Sequence, residues 1–139
     1  MLKNIPACIS PELMKTMMSM GHGDTLILAD ADFPAETCGK RVIRADGVGL
    51  IELATAILDF YPLDTYVEKP AGIMAPVGDA TIPEAILLMK QKIKEAHPEF
   101  EDYEYIERFE FYERAKGAFA IVATSEPDGN LVLQKGVVG

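Results

Sequence analysis

The two histidines are the side chains of this sequence best suited to move a proton near neutral pH. His22 stands in Met20-Gly21-His22-Gly23-Asp24, between a predicted helix and a predicted strand. Its flanking glycines leave the ring uncrowded and allow the backbone a positive φ. An acid/base residue and a structural loop histidine fit this setting equally well. His97 precedes a proline at a predicted helix end, where we expect a solvated side chain favoured by the helix dipole.

Asp30 follows Thr25-Leu26-Ile27-Leu28-Ala29, a continuous apolar run that predicts a strand buried on both faces. Ligands of open α/β sheets bind beyond the carboxyl ends of strands, which favours Asp30 as a binding group, although a turn cap fits equally well. His22 lies before the same strand, so the two side chains are not automatically neighbours. A second loop or another subunit is needed to bring them into one site.

Arg108 lies in an alternating stretch, residues 105–111, that predicts a strand over 105–109. The simplest interpretation is an exposed strand residue paired with Glu107 or Glu110, a contact of about 0–1 kcal/mol. Asp128-Gly129-Asn130 predicts the turn of a closing hairpin. Tyr112 and Glu113 fit an ordinary solvated helix face.

Composition excludes several classes of function. A net charge of −9 argues against nucleic acid and against an anionic membrane surface. Cys8 and Cys38 have no close pairing motif, and we find no signal peptide or membrane span, so we expect a reducing cytoplasm. There is no glycine-rich phosphate loop and no G-x-S-x-G elbow, and two histidines without clustered cysteines argue against a His-rich metal site.

The elements that must position these residues alternate along the chain. Helix starts are indicated at Ser10-Pro11-Glu12 and, with a second cap, at Thr81-Ile82-Pro83-Glu84. Predicted helices cover about 11–20, 47–61, 83–96 and 111–116, and predicted strands 25–29, 41–44, 65–67, 73–75, 105–109, 118–123 and 131–135. This pattern predicts one α/β domain over residues 1–139, with three layers and helices packed on a central sheet. The final hairpin makes that sheet mixed.

Several separate blocks, in this order, resemble the RbsD/FucU family of sugar mutarotases, and the later ones resemble its fucose branch in particular. The resemblance spans essentially the whole chain. The blocks are Ile9-Ser10-Pro11-Glu12-Leu13, Met20-Gly21-His22-Gly23-Asp24, Asp30-Ala31-Asp32-Phe33-Pro34-Ala35, Val42-Ile43-Arg44-Ala45-Asp46-Gly47, Arg108-Phe109-Glu110-Phe111-Tyr112-Glu113-Arg114-Ala115, Ala118-Phe119-Ala120-Ile121-Val122, Gly129-Asn130-Leu131 and Lys135-Gly136-Val137.

The resemblance implies an α/β fold that assembles into cyclic homo-oligomers, commonly decamers of two pentameric rings, with sites near subunit contacts. It implies a monosaccharide as the partner and neither a metal nor an organic cofactor. The fucose branch exchanges α and β anomers. The ribose branch exchanges pyranose and furanose forms.

The same resemblance assigns roles to residues. His22 becomes the acid/base residue, and Asp30 and Arg108 hold sugar hydroxyls. The turn before the last strand adds further contacts, and three other residues are weaker candidates. In the turn these are Asp128, Gly129 and Asn130, and the weaker candidates are Asp24, Tyr112 and Glu113.

The turn departs from the fucose pattern, which usually carries Tyr-Gly-Asn in a longer loop. Here Asp128 takes the place of the aromatic residue, and its side chain accepts hydrogen bonds but offers no ring for stacking on a sugar. The departure therefore bears on the exact sugar and not on the reaction class. Three alternatives stay open: a ribose-type pyranose–furanose exchange, a non-catalytic sugar-binding relative, and a purely structural oligomer.

Overall fold

Six strands form one mixed sheet in the computed structural model, which describes residues 1–139. The strands are β1 Thr25–Ala29, β2 Val42–Ala45, β3 Ala71–Met74, β4 Glu104–Ile106, β5 Ala120–Thr124 and β6 Leu131–Gln134. Their order across the sheet is β2-β5-β1-β6-β3-β4. The helices are α1 Pro11–Ser19, α2 Ala35–Cys38, α3 Leu50–Leu58, α4 Glu84–Ala96 and α5 Arg108–Gly117.

Strand β6 is antiparallel to both of its neighbours, β1 and β3, whereas the pairs β1–β5, β2–β5 and β3–β4 are parallel. Strands β1 to β5 therefore start at one edge of the sheet, here called the amino edge, and end at the other, the carboxyl edge. The predicted mixed sheet is confirmed, but the predicted hairpin is wrong. Strand β1 lies between β5 and β6, so the connection over residues 125–130 crosses the end of β1 instead of making a tight turn.

Helices cover both faces of the sheet, as the three-layer prediction requires. A large core cluster joins α1, α3 and α4 to one face, and a smaller cluster joins α2 and α5 to the other. Alternate residues of β1 enter the two cores: Leu26 and Leu28 face the large cluster, Ile27 and Ala29 the small one. This arrangement confirms that β1 is buried on both faces and explains its continuous apolar sequence.

Of the two helix caps predicted from the sequence, one is confirmed and one is wrong. The Ser10 hydroxyl accepts a hydrogen bond from the Leu13 N–H at 3.1 Å, so the predicted cap of α1 is confirmed. The predicted side-chain cap of α4 is wrong. Pro83 occupies the N-cap position of that helix, and no side chain accepts a bond from its first turn.

Arg108 begins helix α5, so the predicted strand over 105–109 is too long. The Glu107 carboxylate accepts hydrogen bonds from the N–H groups of Phe109 and Glu110, both at 3.0 Å, and thereby caps the helix. This cap ends β4 at Ile106 and turns the chain into α5.

Two predictions about the loops at the amino edge are wrong. Residues 65–67 form bends, because the last pairing before them is a single bridge between Leu63 and Lys135. His97 is only 7% exposed, since the chain turns back at Phe100, whose N–H donates to the His97 carbonyl. None of the helices combines the length and apolar character that crossing a membrane demands.

Candidate functional site

His22 lies at the amino edge against a carboxylate that sequence reasoning missed. Its Nε2 is 3.0 Å from Oδ1 of Asp64. The same oxygen accepts the N–H of Tyr66 at 3.0 Å, and Oδ2 accepts the side-chain amide of Gln134 at 3.0 Å. We call these four residues the His22 cluster. The imidazole is 42% exposed while the Asp64 side chain is 3% exposed, so a buried carboxylate holds a ring that solutes can reach.

Hydrogen bonds keep Asp64 ionised and so fix the orientation of the imidazole. Burial alone would raise the pKa of Asp64, but the hydrogen bonds from the Tyr66 N–H, His22 and Gln134 together hold it below its ordinary value. An ionised carboxylate only accepts hydrogen bonds, so the ring must carry a hydrogen on Nε2. In the neutral imidazole, Nδ1 is then an unprotonated base, and it makes no hydrogen bond within the chain.

The end of β6 places Asp64. The Asp64 N–H donates to the Gln134 carbonyl at 3.0 Å, and the Gly136 N–H donates to Pro62 at 2.8 Å. Position 136 must be glycine for this approach, because a Cβ there would lie 2.7 Å from the Asp64 Cα and 2.7 Å from the Leu63 carbonyl oxygen.

The loop that carries His22 is tied to the same strand. The Gly23 N–H donates to the Lys135 carbonyl at 2.8 Å, and Gly23 takes the predicted positive φ, +87°. Asp24, a weaker site candidate, accepts the Gly21 N–H at 2.7 Å. Its carboxylate therefore shapes the turn around His22.

Asp30 lies at the other end of β1, where the connection from β5 to β6 passes over it. Its Oδ2 accepts the Gly129 N–H and the Asn130 side-chain amide, both at 3.1 Å, and its Oδ1 accepts the Asp32 N–H at 3.1 Å. In return the Asp30 N–H donates to Oδ1 of Asn130 at 2.8 Å. We call Asp30, Gly129 and Asn130 the Asp30 cluster. Both of its side chains are buried, which makes this a rigid unit.

The Asp30 cluster keeps spare hydrogen-bonding capacity. A carboxylate offers about four lone-pair positions, and three are used here, so Asp30 retains one acceptor position. The Asn130 amide retains one N–H. Asp128, next to this cluster, is exposed and makes no hydrogen bond. One acceptor beside one donor is a pattern that sugar hydroxyls satisfy.

Arg108 lies at the same carboxyl edge, at the start of α5. Its Nε donates to the Tyr112 hydroxyl at 3.0 Å, and its guanidinium stands 5.4 Å from the Phe109 ring centre and 5.5 Å from that of Tyr112. Tyr112 in turn packs edge-on against Phe33, near Asp30 in sequence. The terminal N–H groups of Arg108 stay free for a ligand. Glu113 is exposed and pairs with Lys116 at 2.9 Å, away from these groups.

His22 and the Asp30 cluster do not meet within one chain. They lie at opposite ends of β1, whose five residues span about 17 Å. This separation is longer than a monosaccharide. The sequence-based expectation that the two are not neighbours is confirmed.

Asp64, Tyr66 and Gln134 were missed because no local motif marks them. The one available signal was Asp64 itself, an acidic residue at the end of the largely apolar segment Tyr61-Pro62-Leu63-Asp64. Such a residue needs hydrogen-bonding partners, but the sequence does not say which ones.

Two cavities differ in their relation to these clusters. One of about 870 Å³ is lined mainly by apolar side chains of the first nineteen residues and contains none of the predicted site residues. A polar cavity of about 450 Å³ at the amino edge adjoins the His22 cluster, because Tyr66 lines it together with His97 and others. Nowhere do three His, Cys, Asp or Glu side chains converge as metal ligands.

Comparison with known proteins gives consistent matches over the full chain. A family model described as the RbsD / FucU transport protein family matches residues 3–138. A human fucose mutarotase is 46% identical, over 99% of this chain and 94% of that one. The crystal structure of a Streptococcus pneumoniae fucose mutarotase in complex with L-fucose superposes with a TM-score of 0.92 at 44% identity, covering 99% and 100% of the two chains. Bacillus subtilis RbsD, complexed with D-ribose, shares the fold over the full length of both chains, with a TM-score of 0.71 and 21% identity.

Proposed function

Because the chain belongs to the RbsD/FucU family, we propose that it is an L-fucose mutarotase, which interconverts the α and β anomers of L-fucose. Similarity to fucose mutarotases at 44–46% identity over nearly the whole chain supports the sugar. The ribose-type exchange has weaker support, since the ribose-bound relative shares only 21% of its residues. The main structural support for acid/base chemistry is the pairing of the half-exposed imidazole of His22 with the buried carboxylate of Asp64.

His22 is the proton carrier in this proposal. Its Nδ1 removes the proton of the anomeric hydroxyl, the bond between C1 and the ring oxygen breaks, and the imidazolium returns the proton to the ring oxygen, which gives the free aldehyde. The carbonyl turns, and the reverse transfers remake that bond on the other face. Asp64 stabilises the imidazolium formed between the transfers. The steps are proton transfers and one C–O bond broken and remade, with no change of oxidation state, so the proposal includes neither a metal nor an organic cofactor.

The carboxyl edge binds the sugar. The spare acceptor of Asp30, the spare N–H of Asn130 and the free guanidinium N–H groups of Arg108 take its hydroxyls. The backbone at Gly129 and the exposed Asp128 complete this side of the site. Tyr112 acts by holding Arg108 through its phenol. Asp24 and Glu113 take no direct part, because their carboxylates are engaged in the His22 turn and with Lys116.

A complete site then requires two copies of the chain. His22 and Asp30 are separated by the length of β1, so a sugar bound at Asp30 must receive the histidine of a neighbouring subunit. This requirement fits a cyclic homo-oligomer with repeated identical contacts, and we propose a decamer of two pentameric rings. Sedimentation velocity tests the assembly, and a monomer that exchanges fucose anomers would contradict it.

We also propose a cytoplasmic location. Two unpaired cysteines fit a reducing compartment, and monosaccharides are processed there. Fractionation of cells that express the protein tests this, and recovery outside the cytoplasmic fraction would contradict it.

Saturation transfer measured by proton NMR tests the activity directly. One anomeric signal of L-fucose is saturated at equilibrium with micromolar protein, and the loss of the other signal gives the exchange rate. We expect exchange above the buffer rate for L-fucose. Exchange only among the forms of D-ribose would instead assign the ribose activity, and no exchange with either sugar would leave a binding protein.

Mixing two impaired variants tests the shared site. At low fucose concentration, His22→Gln is expected to exchange anomers slowly because it lacks the proton carrier, and Asp30→Ala because its KM is raised, but subunit exchange between them creates some sites with an intact His22 facing an intact Asp30. Equal, random mixing restores roughly a quarter of the sites. If the mixture is no faster than the two variants after verified subunit exchange, both residues must act from the same chain.

A further inference from the structure

Tyr66 has features that a purely structural role does not explain. Its side chain is 76% exposed, although a tyrosine of the core would be buried. Its ring centre lies 5.2 Å from that of His22, with the planes inclined at 52°. Its hydroxyl makes no hydrogen bond within the chain, so both the ring face and the phenol are available to a ligand.

The backbone that carries the ring is nonetheless held in place. The Tyr66 N–H donates to Oδ1 of Asp64 at 3.0 Å, and that oxygen also holds His22. One buried carboxylate therefore fixes the positions of the proton carrier and of an exposed aromatic residue relative to each other. An exposed aromatic ring anchored beside a reactive group is pre-organised for binding.

The two rings beside Arg108, exposed Phe109 and half-buried Tyr112, already have partners within the chain. The Arg108 guanidinium stands over Phe109 and Tyr112, and Tyr112 also packs against Phe33. At the turn that crosses β1, Asp128 offers a carboxylate and no ring. Tyr66 is thus the aromatic surface left free beside His22.

We propose that Tyr66 is a substrate-contacting residue whose ring packs against the C–H face of the sugar while His22 acts on its anomeric centre. A pyranose presents hydroxyls at its rim and C–H groups on its faces, and L-fucose adds a methyl group. The Asp30 cluster and Arg108 bind the hydroxyls, and Tyr66 covers an apolar face from the opposite subunit. This assignment rests on the proposed function.

Three variants of Tyr66 and one matched control test the contact. Tyr66→Ala removes the ring, Tyr66→Leu keeps apolar bulk without the flat face, and Tyr66→Phe removes only the hydroxyl. Val67→Ala truncates the next side chain of the same segment, which does not contact His22. For each we measure the fucose exchange rate as a function of sugar concentration and pH, and fucose binding by saturation-transfer difference NMR.

We expect Tyr66→Ala to raise KM and weaken binding about tenfold with little change in kcat. The KM and the fucose affinity of Tyr66→Leu should lie between those of Tyr66→Ala and the wild type. Tyr66→Phe and Val67→Ala should stay within about twofold of the wild type. Unchanged KM and binding in Tyr66→Ala would overturn the assignment. So would a lower kcat and a displaced pH profile at unchanged KM, because that pattern describes a residue that only positions His22.

Fucose binding is measured separately from anomer exchange, so different results would contradict the mutarotase proposal and the Tyr66 proposal. A wild-type chain that binds fucose without exchanging its anomers would remove the mutarotase proposal, and the binding series would still decide the role of Tyr66. If the wild-type chain exchanges anomers while all Tyr66 variants keep the wild-type KM and fucose affinity, the proposed function stands and the proposed Tyr66 contact is wrong.

Discussion

The two ends of β1 use a buried carboxylate in opposite ways. At the amino edge Asp64 is buried and accepts three hydrogen bonds, one of them from the imidazole of His22, which it presents to solvent. At the carboxyl edge Asp30 is also buried and accepts three hydrogen bonds, but all of them come from amide N–H groups. The partner decides the proposed role: beside a titratable ring the carboxylate orients an acid/base residue, and among fixed amides it forms part of a binding surface.

Exposure separates the two regions as clearly as chemistry does. The His22 side chain is 42% exposed, whereas Asp30 and Asn130 are 8% and 9% exposed. A group that takes up and releases a proton needs access to the sugar, and groups that fix hydroxyl positions gain from rigidity. We therefore expect substitutions in the His22 cluster to change mainly the exchange rate, and substitutions in the Asp30 cluster to change mainly KM.

Replacing the imidazole should have the largest effect. His22→Gln keeps a polar side chain but removes the proposed proton carrier, so we expect the fucose exchange rate to drop by about 10²–10⁴-fold with the melting temperature unchanged. Saturation-transfer NMR measures the rate. His97→Gln is the control, and equal losses in the two variants would remove the special role of His22.

Neutralising the buried carboxylate should have the next largest effect. Asp64→Asn removes the charge proposed to stabilise the imidazolium and to orient the ring, so the fucose exchange rate should fall about 10–100-fold. The amide of the new side chain also faces another donor, which costs about 1–3 kcal/mol of stability. Adding Gln134→Glu gives that amide an acceptor. The double variant should recover stability but not the exchange rate, and recovery of both would show that Asp64 is only structural.

The wild-type pH dependence follows from the same carboxylate. Its folded pKa lies below the ordinary value of 3.8, so its hydrogen bonds stabilise the fold above that pH. The stabilisation is lost as the pH falls through the lowered value. Thermal melts of the wild type and Asp64→Asn should therefore converge under acidic conditions, and a constant difference down to pH 2 would contradict the assignment.

Removing the second carboxylate should change binding and stability together. Asp30→Ala leaves the N–H groups of Asp32 and Gly129 and the Asn130 amide without their acceptor, which we expect to cost about 2–5 kcal/mol of unfolding free energy and to raise KM. Urea unfolding and exchange kinetics measure the two effects. Asp32→Ala, whose carboxylate makes no hydrogen bond, is the control. A stable Asp30→Ala chain with normal KM would show that this cluster neither holds the turn nor binds sugar.

Changing the turn itself should have the smallest effect. Asp128→Tyr restores a ring beside the sugar-binding groups, and we expect KM for fucose to fall a few-fold, about 0.5–1 kcal/mol, with kcat unchanged. Asp128→Asn separates the added ring from the lost charge. If both variants lower KM equally, repulsion by the carboxylate matters and stacking does not.

Local sequence signals predicted most of the helices and strands. The pairing of strands that are distant in sequence could not be predicted in this way. The Ser10 cap and the apolar run of β1 act over a few residues, so their sequences suffice. Strand pairing is different: β5 and β6 are close in sequence, but β1 separates them in the sheet, and nothing local reveals the insertion.

The same difference between local and distant contacts decides which residues of the site could be predicted from the sequence. The turn residues Gly129 and Asn130 were predicted to share a site with Asp30, and hydrogen bonds join all three. Asp64 and Gln134 meet only because the end of β6 packs against the segment that precedes β3. That contact joins residues seventy positions apart and has no signature in either segment alone.

Strand β6 also has a consequence for how the protein reaches its active form. Its four residues pair with β1 across about a hundred positions of sequence, and they join the two halves of the sheet. Contacts between such distant segments form slowly, because a long loop must close before they stabilise the chain. Asn130 at one end of β6 and Gln134 at the other then reach Asp30 and Asp64 in a single step. During refolding, sugar binding and proton transfer should therefore appear with the same time course, and a chain that has acquired one without the other should not accumulate.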